Sequence, residues 1–263
     1  GALLNKVTYV FFAQNSACTD SAMQAVSREL SPKLSKHSDD INLNPALFAR
    51  VKEVYESADT ATLTLEQKKL LSETYKGFVR SGANLDSLGQ AQLRELNSEI
   101  ALLQLTFSQN MLAETNAFQL FIDNEADLAG LPQSLIDNAA EAATAAGQEG
   151  KWLFTLHNPS VMPFLQYAEN RDLRQKMYEG YTNRGNNNNE NDNKEVVRKL
   201  VEARIKKAHL MGYQNYAAFA LETRMAKNEE AVTSLFEQVW PSVLKKANEE
   251  LKDIKAEIKK EGK

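Results

Sequence analysis

The sequence contains very little cysteine. Cys18 is the only cysteine in 263 residues, so an intrachain disulfide and a cluster of thiolate metal ligands are both excluded. No His or basic residue adjoins it to activate the thiol, and we therefore expect an inert side chain rather than a nucleophile. A single thiol is compatible with a reducing compartment such as the cytoplasm, and a periplasmic or otherwise exported location is the alternative.

Long apolar runs and concentrated charge are also missing. No apolar run approaches the roughly 20 residues that cross a bilayer, so we predict no membrane span. The net charge is -4, and the 31 basic residues are spread along the chain. Nucleic acids and anionic membranes attract a concentrated basic face, so neither is an expected partner. The 43% hydrophobic and 25% charged content is instead typical of a globular chain with a buried core.

Motifs that carry chemistry are absent from the sequence. None of its three histidines belongs to a His-Glu-x-x-His pattern, which places two zinc ligands on one helical face. We expect His37 at a solvated helix end and His157 in a turn, bonded to backbone. His209 shares a helical face with Glu202, but one such pair is too little for a structural zinc, which needs four ligands. We predict no catalytic, cofactor-binding or metal-binding residue in this chain.

Capping residues mark several helix starts. Asn44-Pro45 predicts an N-cap followed by proline at the first helical position, and Ser31-Pro32 predicts the same device one helix earlier. Thr64-Leu-Glu-Gln67 has the capping-box pattern, in which the Thr hydroxyl and the Gln side chain each satisfy a free backbone group. We expect that helix to run to about Arg80, with Gly82 in the left-handed conformation after it.

Two further helices are predicted to be long and to carry apolar stripes. The first has apolar residues in steps of three and four, which predicts a seam packed against another helix. Its seam residues are Leu93, Leu96, Ile100, Leu103 and Phe107. The second is the last helix of the chain, which Asn228 should cap and Pro241 should bend, and its apolar stripe runs from Val232 to Ile258.

The middle of the chain departs from the helical pattern. Phe118–Ile122 and Trp152–Leu156 alternate as two short strands, which we expect to pair, with an alanine-rich helix between Leu131-Pro132 and Gly147. Residues 185–193 form an Asn-rich loop, for which a solvated loop and a ligand-binding segment are the alternatives. Aromatic residues at helical spacing are expected in the core rather than in a substrate-binding box: Phe107, Phe118, Tyr178, Tyr181 and Phe219.

These patterns predict a mainly α fold, an irregular multi-helix array with one small two-stranded β element. We expect three parts: an N-terminal helical region over 1–115, a small α/β insertion over 116–158, and a second helical region over 159–263. Gly1 resembles a tag remnant, the first helix opens without Met, and the last ends at Lys263 in a polar tail. We therefore expect the chain to be one end of a larger protein.

Short motifs in a fixed order cover essentially the whole chain and carry a family resemblance. Together they resemble zinc metallopeptidases of the thimet-oligopeptidase/neurolysin type, and the loop that ends in Asn-Glu-Asn-Asp-Asn is most like bacterial peptidyl-dipeptidases. The matching segments are, in chain order, Leu30–Leu34 with His37, Leu47-Phe48, Val54-Tyr55, Tyr75–Leu85, Leu128–Pro132, Pro159-Ser160, Pro163–Leu165, Asn170–Arg174, Arg184-Gly185, Asn189–Asn193, Ala208–Ala217 and Met225–Lys227.

The resemblance implies a division of labour between two halves of a longer enzyme. In the family, two histidines of a His-Glu-x-x-His helix and a downstream glutamate hold zinc, and the motif glutamate activates the zinc-bound water. No position in this sequence matches them. The resemblance therefore implies an inactive N-terminal part that walls a channel for short, unstructured peptides and packs against the missing C-terminal catalytic half. The parent would hold the zinc and release C-terminal dipeptides.

Two further expectations depend on this interpretation. The face that meets the catalytic half should be an exposed apolar patch on this chain, open to self-association. The alternative to a peptidase part is a non-catalytic helical binding or interaction module. Reading the natural gene beyond Lys263 for a His-Glu-x-x-His motif separates the two.

Overall fold

The computed structural model describes residues 1–260, and helices dominate them. Eleven α-helices lie within these residues. The first five are α1 (Ala2–Ala17), α2 (Ser21–Asn42), α3 (Pro45–Ser57), α4 (Leu65–Arg80) and α5 (Ser87–Ala117). The other six are α6 (Gln133–Ala145), α7 (Asn158–Tyr167), α8 (Arg171–Thr182), α9 (Lys194–Leu210), α10 (Tyr216–Leu221) and α11 (Glu229–Lys260). The predicted mainly α fold class is confirmed.

The β element is one antiparallel pair, β1 (Leu120–Ile122) and β2 (Trp152–Phe154), with Leu120 opposite Phe154. A 3₁₀ turn over Glu125–Leu128 and helix α6 lie between the strands in sequence, as the inserted helix was predicted to do. The pairing is confirmed, but each strand is two residues shorter than predicted. Phe118, the first residue of one pattern, is the C-cap of helix α5. The Thr155 N–H donates to Ser160 Oγ at 3.0 Å directly after the other strand.

The main apolar core surrounds this β element. Phe154 and Phe164 are fully buried and meet edge to face, with 4.7 Å between their ring centroids. The core combines residues from the predicted insertion with residues of α7 and α8, beyond position 158. The three-part division of the chain stays a prediction. The core residues are Ile122, Leu128, Leu131, Leu135, Ala139, Phe154, Leu156, Val161, Phe164, Ala168 and Met177.

The predicted helix caps hold at most positions. Asn44 Oδ1 accepts from Leu47 N–H at 3.0 Å, and Thr64 forms the complete capping box with Gln67 before α4. The prediction that Ser31-Pro32 starts a helix is wrong. Helix α2 begins eleven residues earlier, because Asp20 caps it by accepting from Met23 N–H at 2.7 Å, and Pro32 lies inside it.

The long seam of α5 packs against α2 on one side and α9 on the other. Leu93 is fully buried there, as predicted. Two aromatic residues predicted for the core are exposed instead, Phe107 on α5 and Tyr178 on α8. Phe118 and Tyr181, by contrast, pack against the main core.

Helix α11 differs from all of these. None of its 32 residues is buried, and its main contact is with the short helix α10. Asn228 caps it as predicted, accepting from Ala231 N–H at 2.8 Å. Pro241 lies inside the helix, and the predicted bend stays a prediction. Over residues 1–260, no helix is both long and apolar enough to span a membrane.

Candidate functional site

The three histidines are dispersed and serve local structure. His157 precedes α7, with its Nδ1 atom 3.0 Å from Thr155 Oγ1 and its Nε2 atom 3.0 Å from Asn116 Oδ1. It lies in a turn as predicted, but its ring contacts side chains rather than backbone. His209 Nε2 lies 2.9 Å from the backbone oxygen of Gln214. His37 is exposed on α2.

No metal-binding cluster forms in the described part of the chain. Glu202 pairs with Arg198 on its own helix, while His209 contacts the Gln214 backbone. Within residues 1–260, no three side chains of His, Cys, Asp or Glu come close enough together to hold a metal ion. Cys18 is a free, exposed thiol. That the chain has no catalytic, cofactor-binding or metal-binding residue stays a prediction.

A groove of about 630 Å³ lies where the end of α5, strand β1 and helix α8 meet. Phe118 and Leu120 form its apolar wall, and Leu156 also lines it. Lys176 and Glu179 line it from α8. We refer to this recess as the β1 groove. It combines apolar surface with charges of both signs, which is the composition of a site for a small polar ligand with apolar parts.

A glycine allows the apolar wall to form. An added Cβ at Gly180 on α8 would lie 2.4 Å from Phe118 Cε2, so only glycine leaves room for the ring. The Phe118 ring therefore lies directly against the α8 backbone. This contact holds the residue before β1 against α8, and both Phe118 and Gly180 line the groove.

The Asn-rich loop closes one end of the groove. Glu114 on α5 is buried, and both of its carboxylate oxygens accept hydrogen bonds from side-chain amides, those of Asn187 and Asn189. Charge-assisted hydrogen bonds from neutral donors keep a buried carboxylate satisfied. The loop residues are thus used internally, which favours a structural loop over a ligand-binding segment.

The C-terminal end of the same loop is also held by local bonds. Asn193 is buried, accepts from Asn110 Nδ2 at 3.0 Å and donates to the Phe107 backbone oxygen at 3.2 Å. The hydrogen bond from Lys194 lowers the pKa of Asp192 to about 2. This carboxylate is therefore ionised throughout the physiological pH range and anchors the loop where α9 begins.

A cluster of polar side chains joins three helices on the other side of α5. Asn97 on α5 donates to Asp39 Oδ1 on α2 at 2.8 Å, and its Oδ1 accepts from Lys207 Nζ on α9 at 2.6 Å. We refer to these three residues as the polar junction. Burial raises the pKa of Asp39, although the Asn97 bond opposes this, and burial lowers the pKa of Lys207. The junction specifies how α2 and α9 sit against α5.

Arg80 at the end of α4 holds α10 in place. It donates to the Phe219 backbone oxygen at 2.7 Å, pairs with Glu222 and stacks on the Phe219 ring, with its Cζ atom 4.3 Å from the centroid. Tyr213 donates to the same Glu222 carboxylate at 2.6 Å. The cluster thus joins α4 to α10, the short helix that α11 contacts.

The apolar stripe of α11 is exposed along its length. It has no partner among residues 1–260, and a large exposed stripe on a helix is typical of a contact surface. The predicted exposed apolar patch is therefore present on the chain. Its members are Leu235, Phe236, Val239, Trp240, Val243, Leu244, Leu251, Ile254 and Ile258.

Comparison with known proteins shows which family this chain resembles. Residues 164–263 match the profile of peptidase family M3. The chain is 35% identical to dipeptidyl carboxypeptidase of Escherichia coli (strain K12), over 99% of this chain and 38% of the relative. The chain is related to peptidase family M3. The resemblance seen in its motifs is thereby confirmed.

Other relatives carry the oligopeptidase A name. Oligopeptidase A of Haemophilus influenzae is 30% identical over 94% of this chain and 37% of the relative. The probable cytosolic oligopeptidase A of Arabidopsis thaliana is 30% identical over 91% of this chain and 35% of the relative. The chain thus spans a little over a third of the length of the curated relatives it matches.

Sequence patterns did not reveal the β1 groove. Phe118 and Leu120 stand out only as strand residues, and Lys176 and Glu179 only as charged positions of a helix. The groove arises because Gly180 brings Phe118 against α8, a long-range contact. A glycine inside a predicted helix was the one available signal, since it marks close approach of another group.

Proposed function

We propose that this chain forms the non-catalytic N-terminal part of a zinc peptidase related to family M3. The observation that carries the proposal is the 35% identity to a dipeptidyl carboxypeptidase over nearly the whole chain, which covers only 38% of that relative. The remainder of such a polypeptide would contain the zinc and its ligands. This part would act by exclusion and positioning, which contribute several kcal/mol in well-formed sites.

The substrates we propose are short, unstructured peptides from which C-terminal dipeptides are released. Two observations support this branch over general oligopeptidase activity: the higher identity to the dipeptidyl carboxypeptidase, and the loop that ends in Asn-Glu-Asn-Asp-Asn. The cytoplasm is the compartment we propose, in keeping with the single free thiol and with the cytosolic name of the Arabidopsis relative.

The partner of α11 in this proposal is the catalytic half of the same polypeptide. The α11 stripe is exposed over several turns, and burial of apolar surface drives such packing at about 25 cal/mol per Å². The three parts of the chain, 1–115, 116–158 and 159–263, would then form one side of the channel, and all three contribute residues to the β1 groove.

The zinc that the family implies does not fit the described residues. Residues 1–260 bring no three suitable side chains together, so we derive no catalytic step through a metal held by this chain. We expect the 263-residue chain, dialysed without chelator, to contain no stoichiometric zinc by elemental analysis. About one tightly held zinc per chain would contradict the assignment of the metal site to another part of the protein.

Peptide cleavage tests the proposal. The 263-residue chain and the full-length natural protein are each incubated with a peptide whose C-terminus is free and with its C-terminal amide, with and without zinc. We expect no cleavage by the chain, and cleavage of only the free peptide by the full-length protein. Equal cleavage of both peptides by the full-length protein would favour an oligopeptidase, and cleavage by the chain alone would overturn the proposal.

A further inference from the structure

Strand β1 has a backbone edge that no other strand occupies. The sheet contains only two strands, so each is paired on one side. Backbone N–H and C=O groups of successive residues point to opposite edges of a strand. At least one residue of Leu120–Ile122 therefore presents both groups away from β2. Within residues 1–260, these three residues make no backbone hydrogen bond outside the ladder to β2.

The other strand of the sheet is protected. Helix α6 packs against β2, and Ser160 Oγ takes the Thr155 N–H directly after the strand. Native proteins commonly cover or cap strand edges in this way, because an open edge pairs with any extended chain. The two edges of this sheet thus differ, and only that of β1 is left for a partner.

The open edge adjoins the β1 groove. Gln119 and Leu120 belong to the strand region and also line the groove, and Gln119 is exposed. An extended chain beside β1 would send alternate side chains toward the groove, whose accessible apolar surface comes from Phe118 and Leu120. Lys176 supplies a cation in the same recess and takes part in no ion pair within residues 1–260, while Glu179, one turn further along α8, lines the recess with the opposite charge.

We propose that the outer edge of β1 binds a short extended peptide by strand addition, with alternate peptide side chains in the β1 groove and its carboxylate near Lys176. Main-chain hydrogen bonds supply affinity without dependence on sequence, and the groove adds preference for apolar side chains. This inference rests on the proposed function for the choice of peptide as ligand. It assigns substrate contact to a part of the chain that has no catalytic residue.

A peptide suits this edge better than a second copy of the chain. Strand β1 has three residues, and helices α5 and α8 flank the groove. A second copy would have to bring its own flanking helices to the edge, whereas a short peptide brings only backbone and side chains. A peptide carboxylate also complements the charge of Lys176. In a second copy, the carboxylate nearest to β1 is that of Asp123, the residue after the strand, and it is already paired with Lys151.

The test uses the whole 263-residue chain and an acetylated pentapeptide of alternating threonine and valine with a free carboxylate. A second peptide has the same sequence with every backbone amide N-methylated, so it keeps the side chains but has no main-chain donors. Amide chemical shifts and hydrogen exchange report binding. We expect shifts and slowed exchange at Leu120–Ile122 with the first peptide, and at least about tenfold weaker binding of the second.

Two variants test whether the charge of Lys176 contributes to binding. Lys176→Gln should weaken binding of the free-carboxylate peptide several-fold and leave binding of its amide unchanged. Lys206→Gln is the matched control, because Lys206 is exposed on α9 and lines no part of the groove, and it should leave both affinities unchanged. Equal binding of the methylated and unmethylated peptides, or shifts confined to another surface, would overturn strand addition.

The result can be separated from that of the proposed function. If the full-length protein releases dipeptides while this chain binds neither peptide, strand addition fails and the peptidase assignment stands. If the chain binds the pentapeptide and the full-length protein cleaves nothing, the peptidase assignment fails. A dimer in sedimentation, with the β1 amides protected from hydrogen exchange when no peptide is present, would mean that a second copy occupies the strand edge. That result would overturn the proposal.

Discussion

The central β element and the terminal helix α11 are built from similar residues and have opposite environments. Phe154 on β2 is 0% exposed, while Phe236 on α11 is 62% exposed. Around Phe154, residues from β1, α6, α7 and α8 close a core. Around Phe236, no residue of the helix is buried. Apolar composition alone therefore does not decide burial, which depends on whether a partner element is present.

The same difference separates two sources of stability. The central region is stabilised by packing between elements far apart in sequence, as with Phe154 and Phe164. Helix α11 depends on bonds within itself and on its contact with α10. Helices without tertiary packing are marginal in water, so local features such as a cap or a proline decide how far they open. We therefore expect substitutions in the central region to change the global free energy of unfolding, and substitutions in α11 to change only its local opening.

The largest expected effect is in the core. Phe154→Ala should lower the free energy of unfolding by about 3–5 kcal/mol, because it removes buried apolar contacts and leaves a cavity beside Phe164. Phe236→Ala is the matched control and should change it by less than about 0.5 kcal/mol. Urea denaturation followed by circular dichroism measures both. Similar losses in the two variants would mean that Phe236 is buried in solution.

Proline in α11 gives the next largest effect, and it should be local. Pro241 lacks the N–H that would donate to the Glu237 carbonyl, so Pro241→Ala should stabilise α11 against opening by about 3 kcal/mol. Hydrogen exchange of the amides around position 241 measures this. The global unfolding midpoint should stay the same, and Ser242→Ala should leave exchange within about 0.5 kcal/mol. A rise in the global midpoint would show that α11 unfolds together with the core.

The polar junction gives a smaller effect that depends on pH. Asn97→Ala removes hydrogen bonds to Asp39 and Lys207 and should destabilise the fold by about 2 kcal/mol at neutral pH. The Asn97 bond lowers the pKa of Asp39, so its loss should raise that pKa further above the ordinary value. A raised carboxyl pKa contributes stability at low pH that is lost as pH rises through it.

The gap between wild type and Asn97→Ala should therefore narrow as Asp39 becomes protonated on acidification. Denaturation midpoints measured across the acidic range follow this gap. Asn42→Ala is the control, since its side chain only donates to Ser38 on the same helix. A gap that is constant with pH would remove Asp39 from the explanation.

Local signals in the sequence predicted much of the fold. The caps at Asn44, Thr64 and Asn228 and the two strands each depend on a few neighbouring residues, and the structure contains all of them. The failure at Ser31-Pro32 has the same origin. Proline there resembles a first helical position, but α2 begins earlier, behind the Asp20 cap. Pro32 therefore lies inside the helix and leaves one backbone carbonyl without its N–H donor.

Long-range packing was harder to predict. Phe107 and Phe118 have similar patterns, yet one is exposed and the other lies against Gly180. The β1 groove depends on that contact, and so does the polar junction on Asp39, Asn97 and Lys207, which lie far apart in sequence. The motifs predicted the family without locating either cluster, because ordered motifs indicate ancestry and give no distances between side chains.

The smallest expected effect concerns the cap of α11. Asn228 Oδ1 accepts the Ala231 N–H at 2.8 Å, one of the donors that a helix start leaves without an intrahelical partner. Asn228→Ala should cost about 1 kcal/mol of local stability and speed amide exchange in the first turns of α11. Because no residue of this helix is buried, the loss should appear as fraying rather than as a lower global midpoint. Asn248→Ala, in the same helix and equally exposed, loses only a bond to the Leu244 carbonyl and should leave exchange in those first turns unchanged. If Asn228→Ala instead lowered the global midpoint as a core substitution does, α11 would belong to the same cooperative unit as the central β element.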